Sequence, residues 1–237
     1  MEIGPHLHRI GNDTVAAYLV TTDEGVTVVD AGLPGHWADL VHELEALGRR
    51  LDEVRGVVLT HGDSDHIGFA ERLRREHGVP VFVHAADAGR ARGEGQPKTP
   101  MGSVRPVALA SFAAYAVRKQ GWRTTHLTEV VEVQDGQTLD LPGEPRIVGI
   151  PGHSPGSVAV HVPLADAVMV GDALTTKHVL TGRRGLQPAP FTDDPALALD
   201  SLGRLAGLDA SWVLPGHGTP WQGELGAVEA EVRRAGR

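Results

Sequence analysis

The chain has 237 residues, of which 41% are hydrophobic and 22% charged, a composition typical of a soluble globular enzyme rather than a disordered or fibrous protein. Acidic residues outnumber basic ones by 30 to 22, and the resulting net charge of −8 disfavours nucleic acid and anionic membranes as partners. Because the chain has no cysteine, disulfides, thiolate nucleophiles and cysteine-based metal sites are excluded, and any metal must be bound by histidine and carboxylate side chains.

The N-terminal sequence lacks the basic segment and apolar stretch of a secretory signal, which predicts a cytoplasmic protein. The most apolar run, residues 107–117, is too short to cross a bilayer as a helix, so we expect no membrane segment. The length is compatible with one large domain, and we expect a single domain over residues 1–237.

The predicted elements begin with a β-hairpin. Short β-type runs at 18–20 and 26–29 are separated by TTDEG, whose Asp, Glu and Gly residues suit a tight turn between antiparallel strands. Apolar residues then recur at helical spacing and predict a helix over about 36–48.

A βαβ unit is predicted next along the chain. The β-branched run at 54–59 predicts a strand, apolar residues between 67 and 77 predict a helix that ends at Gly78, and 79–84 predicts a second strand. Strand, helix and strand within about 30 residues match the size of a βαβ unit, in which helices pack on a sheet. The first half is therefore predicted to be α/β.

Residues 85–126 interrupt this pattern. A stretch rich in Gly, Pro and Arg precedes the apolar run, and we interpret the whole segment as a lid or insert. The second half returns to strands, predicted at 130–133, 146–150, 158–162, 167–170 and 212–214, with a helix over 195–205 before the last of them.

Several of the predicted strands run directly into side chains that bind metal ions. These residues are His61, Asp63, Asp65 and His66 after the predicted strand at 54–59, and then His153, Asp172 and His217 after later strands. Because strand ends meet at one rim of a sheet, we expect these side chains to converge. Zinc and similar ions bind histidine nitrogen and carboxylate oxygen, and they lower the pKa of bound water to about 7. The pattern therefore predicts metal-assisted hydrolysis.

The segment 61–66 has a second interpretation. Asp63, Ser64 and Asp65 have the side chains that cap helices, and they precede the helix expected to begin near His66. Each histidine taken singly is also more typical of a structural residue than of a ligand. The metal interpretation depends on the combined set, and capping is compatible with it.

The combined pattern resembles that of the metallo-β-lactamase superfamily, whose signature is H-x-H-x-D-H followed downstream by His, Asp and His. Here the first motif reads His61-Gly-Asp63-Ser-Asp65-His66, and the later positions fall in GHSPGS, GDAL and GHG. The resemblance extends from residue 15 to about 220. It implies an α/β fold, the four-layer αββα sandwich of this family, with a metal site along one edge of the two sheets.

The resemblance also implies two metal sites, with zinc as the expected ion in both. The first site would consist of His61 and His153, the second of Asp65, His66 and His217, and the bridge between them of Asp172. A hydroxide between the two ions would attack an ester, lactone, thioester or amide carbonyl. Asp65 would orient that hydroxide and is the expected catalytic residue.

Asp63 departs from the family motif, which has its second histidine at this position. An oxygen ligand there would shift the preference toward manganese or iron. If Asp63 is not a ligand, then His61, His153 and Asp172 form the two-histidine, one-carboxylate set of non-haem Fe(II) sites, which resembles the persulfide dioxygenase branch of the superfamily. A hydrolase ranks first because the second site is complete. A mononuclear iron dioxygenase and a non-catalytic metal-binding module are the alternatives.

Residues outside the motif are candidate contacts for a small-molecule substrate. Lys177 and His178 follow Asp172 and could polarise a carbonyl or hold a carboxylate. Phe112 and Tyr115 could wall the pocket or form the packed face of a lid helix. Four basic residues of the insert could attract an anionic substrate: Arg90, Arg92, Lys98 and Arg105. An exposed apolar lid is also compatible with a homodimer.

Overall fold

Two β-sheets lie at the centre of the computed structural model, which describes residues 1–95 and 102–235. The first sheet contains seven strands in chain order: β1 (Glu2–Gly4), β2 (Leu7–Gly11), β3 (Ala16–Thr22), β4 (Gly25–Val29), β5 (Val54–Val58), β6 (Val81–His84) and β7 (Val131–Val133). The strands from β1 to β4 pair antiparallel, and those from β4 to β7 pair parallel. The predicted hairpin and βαβ unit are both present in this sheet.

The second sheet has five strands in the order β14-β13-β10-β9-β8, and β11 and β12 form a separate hairpin. Their bounds are β8 (Arg146–Gly149), β9 (Val158–Val162), β10 (Ala167–Gly171), β11 (Thr175–Lys177), β12 (Arg184–Gln187), β13 (Trp212–Pro215) and β14 (Trp221–Gln222). Strands β10 and β13 pair parallel, so their carboxyl ends lie side by side. This pairing brings the segments that follow them to one edge of the sheet.

Helices cover the outer faces of both sheets. They are α1 (Trp37–Ala46), α2 (Ala70–His77), α3 (Ala88–Ala91), α4 (Pro106–Arg118), α5 (Pro195–Ser201) and α6 (Leu225–Ala235). Helix α2 ends at Gly78, whose φ of 68° is the left-handed conformation that glycine adopts readily at a helix C-terminus. The predicted end of this helix is therefore confirmed.

Three apolar cores separate the four layers. Alternate residues of a strand point to opposite faces of a sheet, and Leu19 of β3 packs with the helices α1 and α2 while Tyr18 and Val20 pack between the two sheets. A third core packs the outer face of the second sheet against α6, with Val168 and Val228 among its members. The four-layer αββα sandwich implied by the sequence is confirmed.

Helix α4 lies in the predicted insert and packs only loosely on the sandwich. None of its 13 residues, all of them described, is buried, and the side chain of Val107 is 84% exposed. Residues 96–101, which include Lys98, lie outside the described part of the chain. The single-domain organisation and the lid function stay predictions. No helix within residues 1–95 and 102–235 has the length and apolar character needed to span a bilayer.

Candidate metal centre

The candidate ligands lie together at one edge of the two sheets. His61 follows β5, His153 follows β8, Asp172 directly follows β10, and His217 follows β13. The two sheets are joined at this edge by hydrogen bonds between their backbones, such as the 2.9 Å bond from the amide of Val158 to the carbonyl of Thr60. The convergence of strand ends thus places ligands from distant parts of the sequence within reach of one another.

One group of ligand atoms consists of His61, Asp63 and His153. Oδ2 of Asp63 lies 3.3 Å from Nε2 of His153 and 3.6 Å from Nε2 of His61. One ligand atom from each residue lies within 4.8 Å of the others, a spacing that fits a single metal ion between them. The structure therefore places Asp63 beside the two histidines that the sequence assigned to the first site.

A second group consists of Asp65, His66 and His217, and Asp172 lies between the two groups. Nε2 of His217 is 3.4 Å from Oδ2 of Asp65 and 3.1 Å from Oδ2 of Asp172. The other oxygen of Asp172 is 3.5 Å from Nε2 of His66, and Oδ2 is 3.9 Å from Nε2 of His153. The carboxylate of Asp172 thus contacts both groups.

The buried histidine rings of the second group are fixed by acceptors on Nδ1. Nδ1 of His66 donates to Oδ2 of Asp30 at 2.8 Å, and Nδ1 of His217 donates to the backbone carbonyl of Thr14. Because a carboxylate and a carbonyl only accept, both rings carry their proton on Nδ1 when neutral. The lone pair of each Nε2 therefore faces the candidate metal centre, as it does in metal-bound histidines.

Threonine hydroxyls fix the two rings of the first group in the same way. Oγ1 of Thr60 donates to Asp30 and lies 3.0 Å from Nδ1 of His61, so it accepts from that ring. Oγ1 of Thr192 donates to a backbone carbonyl and lies 3.2 Å from Nδ1 of His153. With the Nδ1 atoms engaged in this way, the four Nε2 atoms face the carboxylates, and Nε2 of His153 lies within hydrogen-bond distance of Oδ2 of Asp63.

The charges of the cluster shift the pKa values of its members in opposite directions. Burial, together with the charge of His66, holds the pKa of His61 well below its ordinary value. Burial opposes ionisation of Asp172, but the neighbouring His217 and His66 outweigh it and hold the pKa of that carboxyl well below its usual range. Asp30 and Asp172 in turn raise the pKa of His66 against the effect of its burial. These shifts favour an ionised carboxylate at Asp172.

Several buried polar atoms of the histidine and aspartate cluster have no hydrogen-bond partner, which bears on whether the cluster fits a metal ion. Among the described residues, Nε2 of His61, Nε2 of His66 and Oδ1 of Asp172 are buried without a hydrogen-bond partner. Buried polar atoms without partners are costly in a folded protein, and several at one point are typical of a ligand-binding site. Histidine nitrogens and carboxylate oxygens are ligands of zinc, manganese and iron, so the residues fit a divalent metal ion.

The capping interpretation of Asp63, Ser64 and Asp65 is wrong. Helix α2 begins only at Ala70, and within the described chain Phe69 at its N-cap position makes no side-chain capping bond. The segment before it forms a turn instead, in which the amide of His66 donates to the carbonyl of Asp63 at 2.9 Å. The turn directs both aspartates toward the histidines.

Two buried residues that sequence reasoning did not assign to the centre support its ligand loops. Asp87 accepts hydrogen bonds from the amides of Gly62 and Gly156 and from the hydroxyl of Ser154, and so connects the loops that carry His61 and His153. Arg90, interpreted from sequence as a surface charge for an anionic substrate, is only 8% exposed and lies 2.6 Å from Oδ1 of Asp63. Their sequence context gives no sign of these long-range contacts.

A cavity of about 440 Å³ opens beside the ligand cluster. Its polar wall includes the carboxylates of Asp63, Asp65 and Asp172. The apolar part of its wall consists of Leu33, Phe112, Ala116 and Phe191. The cavity therefore gives a small molecule access to the centre along an apolar surface.

The sequence matches the family model of the metallo-beta-lactamase superfamily over residues 10–217, which includes every candidate ligand. The chain belongs to this superfamily. YflN of Bacillus subtilis, a probable metallo-hydrolase, is 28% identical over 205 residues, which cover 83% of this chain and 76% of the relative. Membership of this superfamily and similarity to a probable metallo-hydrolase support the general function of a metal-dependent hydrolase.

Solved structures share the fold of this chain. The metallo-beta-lactamase family protein TTHA1429 from Thermus thermophilus aligns with a TM-score of 0.71 at 24% identity, covering 97% of this chain and 79% of that one. TTHA1623, solved in a di-iron-bound form, aligns with a TM-score of 0.63 at 27% identity and covers 97% of both chains. The fold and the donor set together support divalent metal ions in this superfamily member.

The four predicted substrate contacts lie at different positions relative to the candidate metal centre. Phe112 lines the cavity beside the ligands and also a neighbouring cavity of about 380 Å³, which Lys177 lines with it. Nζ of Lys177 lies 3.4 Å from Oγ1 of Thr14. His178 lines a third cavity, of about 330 Å³, and Tyr115 is hydrogen bonded to His36 in a separate surface cleft. Of the four, Phe112 is the one that lines the cavity at the cluster.

Proposed function

We propose that this chain hydrolyses an ester, lactone, thioester or amide bond of a small molecule with the help of two divalent metal ions. The observation that carries the proposal is the set of four histidines whose Nε2 atoms face the carboxylates of Asp63, Asp65 and Asp172. Membership of the metallo-β-lactamase superfamily and the relation to probable metallo-hydrolases support the same reaction class.

The ligand groups define which residues would hold each ion. The first ion would be held by His61, Asp63 and His153, the second by Asp65, His66 and His217, and Asp172 would contact both. Zinc bound there would lower the pKa of bound water to about 7 and would polarise a carbonyl oxygen. Zinc is the first choice for both ions, and the oxygen of Asp63 makes manganese or iron the alternatives.

Asp65 is the residue of the centre that we propose as catalytic. Its side chain is 23% exposed and lines the cavity, while its Oδ2 lies 3.4 Å from Nε2 of His217. A carboxylate in this position can orient an attacking water and accept its proton. The same oxygen also anchors Asp65 to the second ligand group, which fixes its orientation relative to a substrate.

The walls of the cavity favour a substrate with a small apolar group beside the scissile bond. Leu33, Phe112 and Phe191 offer apolar contacts on the side that faces the ligands. Lys177 lies beyond Phe112 in the adjoining cavity and is available for an anionic group of a longer substrate. We propose such a small molecule, acted on in the cytoplasm, as the substrate class.

An iron-dependent oxygenase is the second candidate function. If Asp63 is not a ligand, His61, His153 and Asp172 would supply the two histidines and one carboxylate of many non-haem Fe(II) oxygenases, and Oδ2 of Asp172 lies 3.9 Å from Nε2 of His153. The relative TTHA1623 has been solved in a di-iron-bound form. Both observations favour iron as an ion to test, in a mononuclear or a dinuclear centre.

Elemental analysis of the chain purified without added metal is the first experiment. Two equivalents of zinc or manganese, with turnover of activated esters, lactones or thioesters, would support the hydrolase. One equivalent of iron, with oxygen consumption in the presence of a thiol or persulfide, would favour the oxygenase. Bound metal without either turnover would indicate a binding module, and no metal after reconstitution would contradict all three.

Asp65→Asn tests the catalytic assignment. The amide retains an oxygen for the metal but cannot accept a proton, so we expect kcat to fall by about 100-fold or more. Asp52→Asn is the matched control, because the Asp52 carboxylate is 61% exposed and pairs with Arg50 away from the centre. Equal activity of the two variants would exclude Asp65 as the proton acceptor.

A further inference from the structure

Arg90 of α3 lies beside the first ligand group, lines the cavity at the cluster, and is held between two carboxylates. Its Nε is 2.6 Å from Oδ1 of Asp63, and its Nη1 is 2.8 Å from Oδ2 of Asp193. The side chain is 8% exposed, so this guanidinium is a buried charge and not a surface charge. A planar guanidinium with donors on two edges can hold two carboxylates in fixed relative positions.

The ion pair divides the two oxygens of Asp63 between different partners. Oδ1 faces Arg90, whereas Oδ2 faces Nε2 of His153 at 3.3 Å and Nε2 of His61 at 3.6 Å. We propose that Arg90 is a positioning residue that makes Asp63 a one-oxygen metal ligand, and that Asp63 and Arg90 together replace the second histidine of the superfamily motif. This inference rests on the metal centre of the proposed function.

Charge balance gives a physical reason for the pair. A histidine ligand is neutral, whereas an aspartate ligand adds one negative charge to the site and can bind through two oxygens. The guanidinium of Arg90, which Asp63 shares with Asp193, offsets part of that charge and occupies the second oxygen. Asp63 therefore presents a single donor atom to the metal, as an imidazole would.

The backbone around Gly62 allows Arg90 to approach so closely. A Cβ at Gly62 would lie 2.7 Å from the amide nitrogen of Ala91 and 3.0 Å from Cβ of Arg90, so α3 packs directly on the turn of the motif. Asp193 is tied to the same region, because its amide donates to the carbonyl of His153 at 3.1 Å. Arg90 thus connects the loop of Asp63 to the loop of His153.

A double-mutant cycle on metal affinity tests the inference without any substrate. The variants are Arg90→Met, Asp63→His and the combination of the two, and the measurement is calorimetric titration of each metal-free protein with Zn²⁺ and with Co²⁺. We expect Arg90→Met to weaken the first site by about 10-fold or more, as loss of a residue that orients a metal ligand does. In the Asp63→His background the same change should weaken it by less than about threefold, because a neutral ligand needs no counter-charge.

Further variants separate a positioning role from a general structural one. Arg90→Lys keeps the positive charge but loses the planar guanidinium. Compared with Arg90→Met, we expect it to recover part of the metal affinity and to give a Co²⁺ visible spectrum closer to that of the unmodified protein. Arg92→Gln is the matched control: Arg92 is 31% exposed, pairs with Glu132 at 3.5 Å, and should bind both ions normally. Thermal unfolding of every metal-free variant shows whether it is folded.

An equal loss of affinity for Arg90→Met in both backgrounds would overturn the inference, because Arg90 would then act through Asp193 and not through Asp63. No loss for Arg90→Met would overturn it as well. The readout is independent of turnover: two bound ions and the expected coupling, without hydrolysis of any ester, lactone or thioester, would sustain the role of Arg90 while contradicting the hydrolase.

Discussion

Gly216 lies against Asp172, which contacts both ligand groups, and against His66 of the second group. A Cβ there would lie 2.6 Å from Oδ1 of Asp172 and would also collide with the ring of His66. We expect Gly216→Ala to displace both side chains and weaken metal binding by about tenfold or more, because ligand geometry sets affinity. Titration of the metal-free protein with Zn²⁺ measures the effect.

Gly226→Ala is the control for this substitution. Gly226 lies in α6, and an added Cβ would meet no described atom within 4 Å. Alanine is favoured over glycine inside a helix by about 1 kcal/mol, so this variant should be slightly stabilised and bind metal normally. Unchanged metal affinity in Gly216→Ala would contradict the close packing of the glycine on the cluster.

At the residue scale, the sequence predicts which candidate ligands converge but not the residues that support them. His153 and Asp172 can be found from sequence because Asp172 directly follows an apolar strand and His153 follows one within four residues, and strand ends converge. Asp87 and Arg90 have no such signal: both lie in the insert, and their partners are 25 to 69 residues away for Asp87 and 103 residues away for the Arg90–Asp193 bond. Long-range pairing of buried charges is a property of the folded chain alone.

At the scale of elements, α4 presents one face to the cavity and another to solvent. Phe112 lines the cavity, whereas Val117 is 59% exposed on the outer side. Burying a Phe side chain against a ligand is worth about 1.5–3 kcal/mol, so Phe112→Ala should raise KM for apolar substrates by roughly 10-fold or more and leave metal content unchanged. Steady-state kinetics with esters of increasing apolar size, and Val117→Ala as control, test this. Equal KM values for the two variants would show that Phe112 of α4 does not contact the substrate.

The anchor of α4 predicts a pH-dependent stability. Nε2 of His36 bonds the hydroxyl of Tyr115 in α4 at 2.8 Å, and burial, together with the charge of Lys119, lowers the pKa of His36 from 6.5 to about 4. Between these values the unfolded chain binds more protons than the native one, so stability falls as the pH falls through this window. The full shift corresponds to a loss of about 3 kcal/mol.

Urea unfolding of the unmodified protein and of His36→Asn between pH 7.5 and 4 measures this contribution. The unmodified protein should be the more stable of the two at pH 7.5, and its advantage should shrink as the pH falls. Titration of the metal ligands changes the free energy of unfolding of both proteins equally, so it cancels when one is subtracted from the other. A constant difference between the two proteins over this range would show that His36 is not held neutral by its surroundings.

The elements that sequence reasoning missed have a common physical cause. Strand β2 buries His8 and Arg9, which break the apolar alternation by which strands are recognised. Their burial is made possible by distant partners: Nδ1 of His8 lies 3.3 Å from Glu43, and Arg9 donates to the carbonyl of Gly218 at 2.7 Å. By contrast, the predicted strand at 158–162 coincides with β9 (Val158–Val162), which is apolar at four of five positions.

At the scale of the whole molecule, the metal centre lies at the edge of the sandwich and outside its three apolar cores. The cores bury the large side chains that hold the sheets and helices together, so the metal-free chain should remain folded. An ion that binds only the native state adds about 2.7 kcal/mol at a free concentration of 100 times its Kd. In a chain of this size, each 1 kcal/mol raises Tm by about 2–4 °C.

Removal of metal should therefore lower Tm without abolishing cooperative unfolding. We expect a fall of roughly 5–10 °C for each ion lost on chelation, reversed by adding Zn²⁺ or Mn²⁺ in excess. Asp172→Asn should show a smaller response, because Asp172 contacts both ligand groups and its loss weakens both sites. Differential scanning calorimetry with and without chelator measures the shift. An identical Tm in both conditions for the unmodified protein would mean that no ion binds preferentially to the native cluster, and the paired metal sites would have to be abandoned.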